Sequence, residues 1–258
     1  MYEFERLQEM LSIITQSKSA SVRMLAKTLY VSEATVRRDL TALEKQGLVR
    51  RVFGGVMLIE GDQEEIPFYA RLNQGDESKE AIALKAVEHI KNGDVLMLDA
   101  SSTVSRMIRH LKRFQRLTII TNSGITMSGL QELDAKIIIT GGLMIRNSQG
   151  FVGSYAEAMV RNFNADLFFF SCGGICQDGR ICDHISEETS IRRVMMWQSR
   201  KRYLLCDSSK FGLECCYNLC TVDDVDEIIS DQAFKRTGMT REIDRACALC
   251  SVTCATKR

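Results

Sequence analysis

Two groups of residues in this chain could do chemistry. The first is Ser32-Glu33-Ala34-Thr35-Val36-Arg37-Arg38-Asp39-Leu40, a polar opening followed by adjacent arginines. Guanidinium forks suit guanine edges or phosphates, and a small polar or apolar pair ahead of them suits the base edges themselves. The second is a set of short turns rich in small polar residues: Asp99-Ala100-Ser101-Ser102-Thr103, Thr121-Asn122-Ser123, Gly141-Gly142, Cys172-Gly173-Gly174 and Asp207-Ser208-Ser209-Lys210. Their hydroxyls, amides and backbone N–H groups could hold a small, hydroxylated anion. Each group also has a plain reading: a solvated helix with a charge pair, and ordinary strand-to-helix turns.

The arginines need a helix to present them. Ser32 can cap one, Glu33 suits the positive end of its dipole, and Val36, Leu40 and Leu43 recur at i, i+4 and i+7 as a stripe to bury. Ala34, Thr35, Arg37 and Arg38 are left on the other faces. Upstream, Phe4, Leu7, Met10 or Leu11, and Ile14 mark a first helix ending near residues 16–19. Leu25, Ala26 and Leu29 mark a second over 22–29, with Ser21 as its cap and Tyr30-Val31-Ser32 as the turn beyond. Downstream, Gly47 suits a C′ position and residues 48–55 read as a short hairpin with arginines at one edge. Short helices joined by so few residues, then a hairpin, spell a winged helix-turn-helix over residues 1–56.

Composition agrees with a DNA-binding head on a separate body. The chain has 258 residues and a net charge of +1, but residues 1–56 alone carry nine Lys or Arg and six Asp or Glu, a charge of +3 that leaves −2 for the rest. A basic head suits a polyanion. No apolar run approaches the ~18 residues of a membrane span, and the charged N-terminus lacks a signal-peptide core, so a cytoplasmic protein is expected. In that compartment the ten cysteines are expected as free thiols. Cys247, Cys250 and Cys254 have a C-x2-C-x3-C spacing that could bind metal. With Ile243 they also form one helical stripe, and the packing reading is preferred because a closed site wants four ligands.

The run from Ser32 to Leu40, with Thr35 to Leu40 at its core, and Leu43-Glu44, Gly47-Leu48-Val49-Arg50 and Gly54-Gly55 behind it, resemble the signature of DeoR-type bacterial transcription regulators. The resemblance covers the chain to about residue 231. It implies DNA contact by Ser32, Ala34, Thr35, Arg37, Arg38 and Arg51. Asp39 is expected to pair within the head, because a carboxylate facing phosphates is repelled. Where the family has a basic or histidine residue before the paired glycines, this chain has Phe53.

Residues 57–75 contain Pro67, Gly61 and Gly75 with an acidic run, show no sustained period, and read as a linker. The body over 76–240 alternates helices and short apolar strands. A helix over about 76–91, capped by Asp76 or Ser78, buries Ile82, Leu84 or Lys85, Ala86 and Ile90. Strands over 95–99, 117–121, 136–140, 166–170 and 202–206 alternate with helices over 104–111, 125–133, 155–162 and 187–199. That alternation makes an α/β domain with a mostly parallel sheet, in which ligands sit at the carboxyl ends of the strands. All five polar turns leave such ends. Residues 241–258 form a cysteine-containing tail. Trp197 is expected in the core or at a subunit contact, and His184 in a solvated loop or against ligand.

The turns, with Glu77 to Lys79, Gly150 and Asp207 to Gly212, resemble the DeoR-type sugar-phosphate-sensing domain, whose fold is related to ribose-5-phosphate isomerase. The resemblance implies Ser101, Ser102 and Thr103 on phosphate, Lys79 and Lys210 on its charge, Asp99, Asn122 and Asp207 on sugar hydroxyls, and Gly141, Gly142 and Gly173 in the turns. Both lysines could instead be solvated. Ser101 stands where the family has glycine, so its side chain either narrows the turn or costs a conformation with φ > 0.

The function implied is a transcription regulator, a repressor of a carbohydrate-utilisation operon. Its partners would be double-stranded operator DNA, a sugar phosphate effector and further copies of itself in a dimer or tetramer. No catalytic residue, cofactor or metal is expected. The rival readings are a sugar-phosphate isomerase with an added head, for which Asp207 or Glu187 would be the base, and a thiol or metal sensor.

Overall fold

The computed structural model describes residues 3–45, 49–58, 68, 71, 75–231 and 251–254. The chain divides into two units, Met1–Gln74 and Gly75–Arg258. In the first, α1 (Glu3–Ser17) leads through a short strand β1 (Ser19–Ser21) into α2 (Val22–Thr28). α3 (Glu33–Lys45) follows, then the hairpin strands β2 (Val49–Val52) and β3 (Gly55–Leu58). Met10, Leu11, Ile14, Leu25, Leu29, Val36, Leu40 and Leu43 are buried together, as their periods require. Two details depart from the sequence reading. β1 joins the wing as a third antiparallel strand on β3, and Met57 and Leu58 belong to that wing rather than to the linker. Within the linker, Phe68 is buried with the Arg71 guanidinium 6.0 Å from its ring centre. Gly47, Pro67 and the acidic run lie outside the described residues.

The second unit opens with α4 (Asp76–Ala86), extended by a 3-10 turn over Val87–His89. Neither Asp76 nor Ser78 caps α4: the capping position is Gly75, at φ +62°. Ala83 and Val87 are buried on this helix, whereas Leu84 is exposed. The order continues β4 (Val95–Leu98), α5 (Ser102–Ser105) with a 3-10 extension over Arg106–Arg113, β5 (Leu117–Thr121), α6 (Met127–Leu130) and β6 (Ala135–Ile139). A hairpin, β7 (Leu143–Ile145) and β8 (Gly150–Val152), precedes α7 (Ser154–Val160) and β9 (Ala165–Phe170). Then come β10 (Gly174–Ile175), β11 (Arg180–Asp183), α8 (Ser186–Trp197) and β12 (Ser199–Leu205). β13 (Tyr217–Thr221), β14 (Glu227–Ser230) and β15 (Ser251–Cys254) complete the described elements.

The main sheet has the order β15-β14-β12-β9-β4-β5-β6 and is parallel throughout. Its strands bury both faces. Met97, Phe168, Phe170 and Leu204 pack with α7 and α8 residues, while their neighbours Leu96, Leu98, Phe169 and Leu205 pack with α4 and the segment after α5. Each such side chain contributes roughly 1.5–3 kcal/mol by leaving water. The α/β reading therefore stands, with additions: the β7-β8 hairpin, a small antiparallel sheet β10-β11-β13, and the edge strands β14 and β15. Cys254 lies in β15, paired with Ser230, and not on a helix. Ile243, Cys247 and Cys250 lie outside the described residues. Trp197 is 71% exposed, which removes it from the core.

Candidate functional site

In the head, local chemistry sets the third helix. The Ser32 hydroxyl accepts from the Thr35 backbone N–H at 3.1 Å and lies 3.0 Å from the Thr35 hydroxyl. Ser32 therefore caps α3, as Ser21 caps α2 through Met24 N at 3.1 Å. Ala34, Arg37 and Arg38 are exposed and Thr35 half-buried. Arg37 is tethered to Glu33 at 3.0 Å, one helical turn away, whereas Arg38 makes no hydrogen bond or ion pair with a described residue. Asp39 is buried and accepts twice from Arg6, from Nε at 2.6 Å and Nη2 at 3.2 Å, which is the internal pairing its sequence position implied. Arg51 is held beside α3, its backbone N–H donating to Glu44 at 2.9 Å and its guanidinium to Thr41 at 3.1 Å.

In the second unit the parallel order brings the ends of β9, β4 and β5 side by side. Asp99, just past β4, accepts three hydrogen bonds there. Its Oδ1 accepts from Ser101 N at 3.0 Å, and its Oδ2 from Ser171 N at 3.1 Å and from Arg192 Nε at 2.9 Å. Arg192 also donates to Asp183 at 2.6 Å and to Glu188 at 3.1 Å, and all four side chains are buried. Burial opposes the guanidinium charge, but Asp183, Asp99 and Glu188 outweigh it and hold the Arg192 pKa above its ordinary value. Asp99 thus frames the strand ends, its buried carboxylate paired with Arg192 inside the protein.

The open hydrogen-bonding capacity lies next to this frame. Asn122 donates from Nδ2 to the Phe151 carbonyl at 3.0 Å, while its Oδ1 is buried without a partner among the described residues. The hydroxyls of Ser123 and Ser171 are buried in the same condition, as is Glu188 Oε1. Ser101 caps α5 through Val104 N at 3.3 Å, and its φ of −79° shows that a side chain here costs the backbone nothing. Ser102 and Thr103 are buried behind it.

The remaining predicted residues divide between this edge and packing. Lys79 is buried on the first turns of α4. Ser208 N donates to Asp231 at 2.8 Å. Despite partial burial, hydrogen bonds from Ser78 and Ser208 hold that carboxyl below its ordinary range, so α4 begins at the same sheet edge. Lys210 donates to the Cys172 carbonyl, bridging the ends of β12 and β9, and Asp207 accepts from Ser209 N at 3.1 Å. Gly141 and Gly142 are left-handed, at φ +62° and +113°. A Cβ on Gly142 would stand 2.6 Å from the Val152 carbonyl oxygen, and one on Gly173 2.8 Å from Cys215 Sγ. Those two glycines serve close packing. His184 is exposed, with Nε2 3.6 Å from Cys215 Sγ. The sequence reading missed Ser171, Arg192, Asp183 and Glu188, of which only the i, i+4 spacing of Glu188 and Arg192 left a trace.

A winged helix-turn-helix joined to a parallel α/β unit with buried polar groups at its strand ends defines a DNA-binding regulator with a sensing domain. Residues 6–61 match the DeoR-like helix-turn-helix domain and residues 74–232 the DeoR C terminal sensor domain. The chain belongs to the DeoR family of DNA-binding transcription regulators. It is 32% identical over 237 residues to the HTH-type transcriptional regulator GolR of Listeria innocua, covering 92% of this chain and 93% of that one. It is 32% identical to the L-fucose operon activator of Haemophilus influenzae, over 85% and 88% of the two chains. With the glycerol-3-phosphate regulon repressor of Escherichia coli the identity is 28%, over 90% and 92%. Among solved structures, ribose 5-phosphate isomerase A from Methanocaldococcus jannaschii overlaps 53% of this chain and 54% of its own, with a TM-score of 0.39 and 15% identity. No helix among the described residues is long and apolar enough to cross a membrane.

Proposed function

We propose that this regulator represses a carbohydrate-utilisation operon, and that a phosphorylated sugar bound at the carboxyl ends of β4, β5, β9 and β12 changes its affinity for operator DNA. The observation that carries the effector site is a set of buried polar atoms without a partner among the described residues at the ends of β5 and β9, the two strands that flank β4: Asn122 Oδ1, Ser123 Oγ and Ser171 Oγ. Buried polar groups are nearly always satisfied, so such a set fits the hydroxyls of a ligand. Ser101, Ser102, Thr103, Lys79 and Lys210 are assigned to the phosphate end, where hydroxyls and cations suit its charge. Relatives named for glycerol-3-phosphate and for a lactose phosphotransferase system support that ligand class.

In the head, Ala34, Thr35, Arg37 and Arg38 are assigned to the DNA groove and Ser32 and Arg51 to its phosphates. Two or four copies pair their heads on repeated half-sites in the cytoplasm, and the exposed Trp197 is assigned to a contact between copies. The effector acts by linkage, binding the DNA-competent and incompetent arrangements unequally. No turnover is assigned. Glu187, weighed as a base, accepts from the Ser186 hydroxyl at 2.7 Å, which lowers its pKa, the wrong direction for a base working near neutrality.

The test is fluorescence anisotropy of a labelled duplex from upstream of the protein's own gene, with and without a panel of sugar phosphates. Tight, sequence-selective binding released by one phosphorylated sugar is expected. Binding that no compound alters would sink the effector assignment, and isomerisation of a sugar phosphate at ordinary enzyme rates would sink the assignment of no turnover.

A further inference from the structure

The wing turns on Phe53 and Gly54, with Gly54 at φ +77°. Phe53 is fully exposed, the most exposed large apolar side chain among the described residues. The head does not lack a core to receive it, since Met10, Leu11, Ile14, Leu25 and Leu40 are all buried. In the chain it follows two cations, Arg50 and Arg51, and the carboxylate nearest before them, Glu44, is taken up by the Arg51 backbone N–H.

The position of the ring follows from how β2 is held. The Arg51 backbone N–H donates to Glu44 and its guanidinium to Thr41, so β2 is held against the C-terminal half of α3. Phe53 follows two residues later, roughly 6–7 Å further along the chain. Phe53 therefore stands at the wing tip, beyond the point where α3 holds β2, and follows Arg50 and Arg51 in the chain.

We infer that Phe53 is a wedge: when α3 occupies a major groove, the ring enters the neighbouring minor groove and stacks against a partly opened base step, with Arg50 and Arg51 on the flanking phosphates. The inference rests on the DNA-binding reading above. Apolar wedges between cationic contacts open base steps and bend the duplex, and flexible TA and CA steps yield most readily. The chain's binding sites then carry such a step beside each half-site.

The experiment enriches duplexes from a random-sequence pool with the full wild-type chain, then measures binding and duplex bending for wild type, Phe53→Ala and Phe53→Arg. Bending is read by energy transfer between the duplex ends, and stacking by 2-aminopurine placed at the proposed step. Wild type is expected to bend the duplex and to perturb the 2-aminopurine signal. Phe53→Ala, at an exposed turn, keeps its melting temperature but binds roughly tenfold more weakly, at low and high salt alike, and loses the bend. Phe53→Arg regains affinity through phosphate, steepening the log–log salt dependence by about 0.9 without restoring the bend. Binding and bending by Phe53→Ala equal to wild type overturn the proposal. So does a change of oligomeric state on Phe53→Ala with DNA contacts intact, which would place the ring against a second copy. Failure of wild type to enrich any duplex would overturn the DNA-binding reading itself.

Discussion

Arg192, on α8, donates from Nε to the carboxylate of Asp99, beyond the end of β4, at 2.9 Å with both side chains buried. This pair, with Asp183 and Glu188, ties α8 to the strand ends that form the candidate effector site. Replacing Arg192 by methionine leaves three buried carboxylates without their cation. The expected loss of stability is on the order of 3–5 kcal/mol, because breaking a buried ion cluster costs far more than the intact cluster contributes. Urea denaturation of the variant checks this, and a change under about 1 kcal/mol would show the cluster to be dispensable.

Ser171→Ala separates stability from sensing. The Ser171 hydroxyl is buried without a partner among the described residues, so its removal leaves the melting temperature unchanged or raised, since a lone buried polar group costs about 1–3 kcal/mol. Sugar phosphate response should weaken by roughly five- to tenfold at unaltered operator affinity. A lowered melting temperature with intact response contradicts the assignment.

Asp39→Ala acts on the head by another route. It removes both hydrogen bonds from Arg6 and should destabilise the head by about 2 kcal/mol. The DNA contacts themselves stay in place, so operator affinity recovers on cooling or at high protein stability. A pure affinity loss in a head that melts normally would instead make Asp39 a DNA contact.

The two arginines of α3 should differ. Arg38 makes no hydrogen bond or ion pair with a described residue, so Arg38→Ala reduces the salt dependence of binding by about 0.9 or relaxes preference at one base pair. Arg37→Ala also frees Glu33, placing an unpaired carboxylate near phosphate and weakening binding further. Equal effects from both would mean that the Glu33 pair has no influence.

Alkali should weaken the fold. Burial pushes the thiols of Cys176, Cys182 and Cys215 up to about 11, whereas an unfolded cysteine ionises near ~8.5. The fold therefore keeps protons that the unfolded chain has released, and this contribution is full below ~8.5 and lost as pH rises toward 11. Urea midpoints in reductant should fall between about pH 8 and about pH 10.5. Replacing the three by alanine should flatten that fall; an equally steep fall would trace it to other groups.

The sequence by itself determined what neighbours along the chain decide. The Val36, Leu40, Leu43 stripe and the Ser21 and Ser32 caps are local patterns of period and hydrogen bonding and appear where the residues imply. The strand–helix alternation keeps its order, but the helix expected over 104–111 is largely a 3-10 segment and that over 125–133 shrinks to Met127–Leu130. The polar turns were legible as strand ends because parallel strands place all their carboxyl ends at one edge. What only the tertiary structure decided rests on partners far apart in sequence. Asp99 finds Arg192 ninety-three positions away, and Asn122 Oδ1, Ser123 Oγ and Ser171 Oγ are buried without a partner among the described residues. β1, the β10-β11-β13 sheet and Trp197's exposure were likewise invisible. A strand of two to five residues has too short a period to signal itself, and whether a side chain is covered depends on which distant element packs over it.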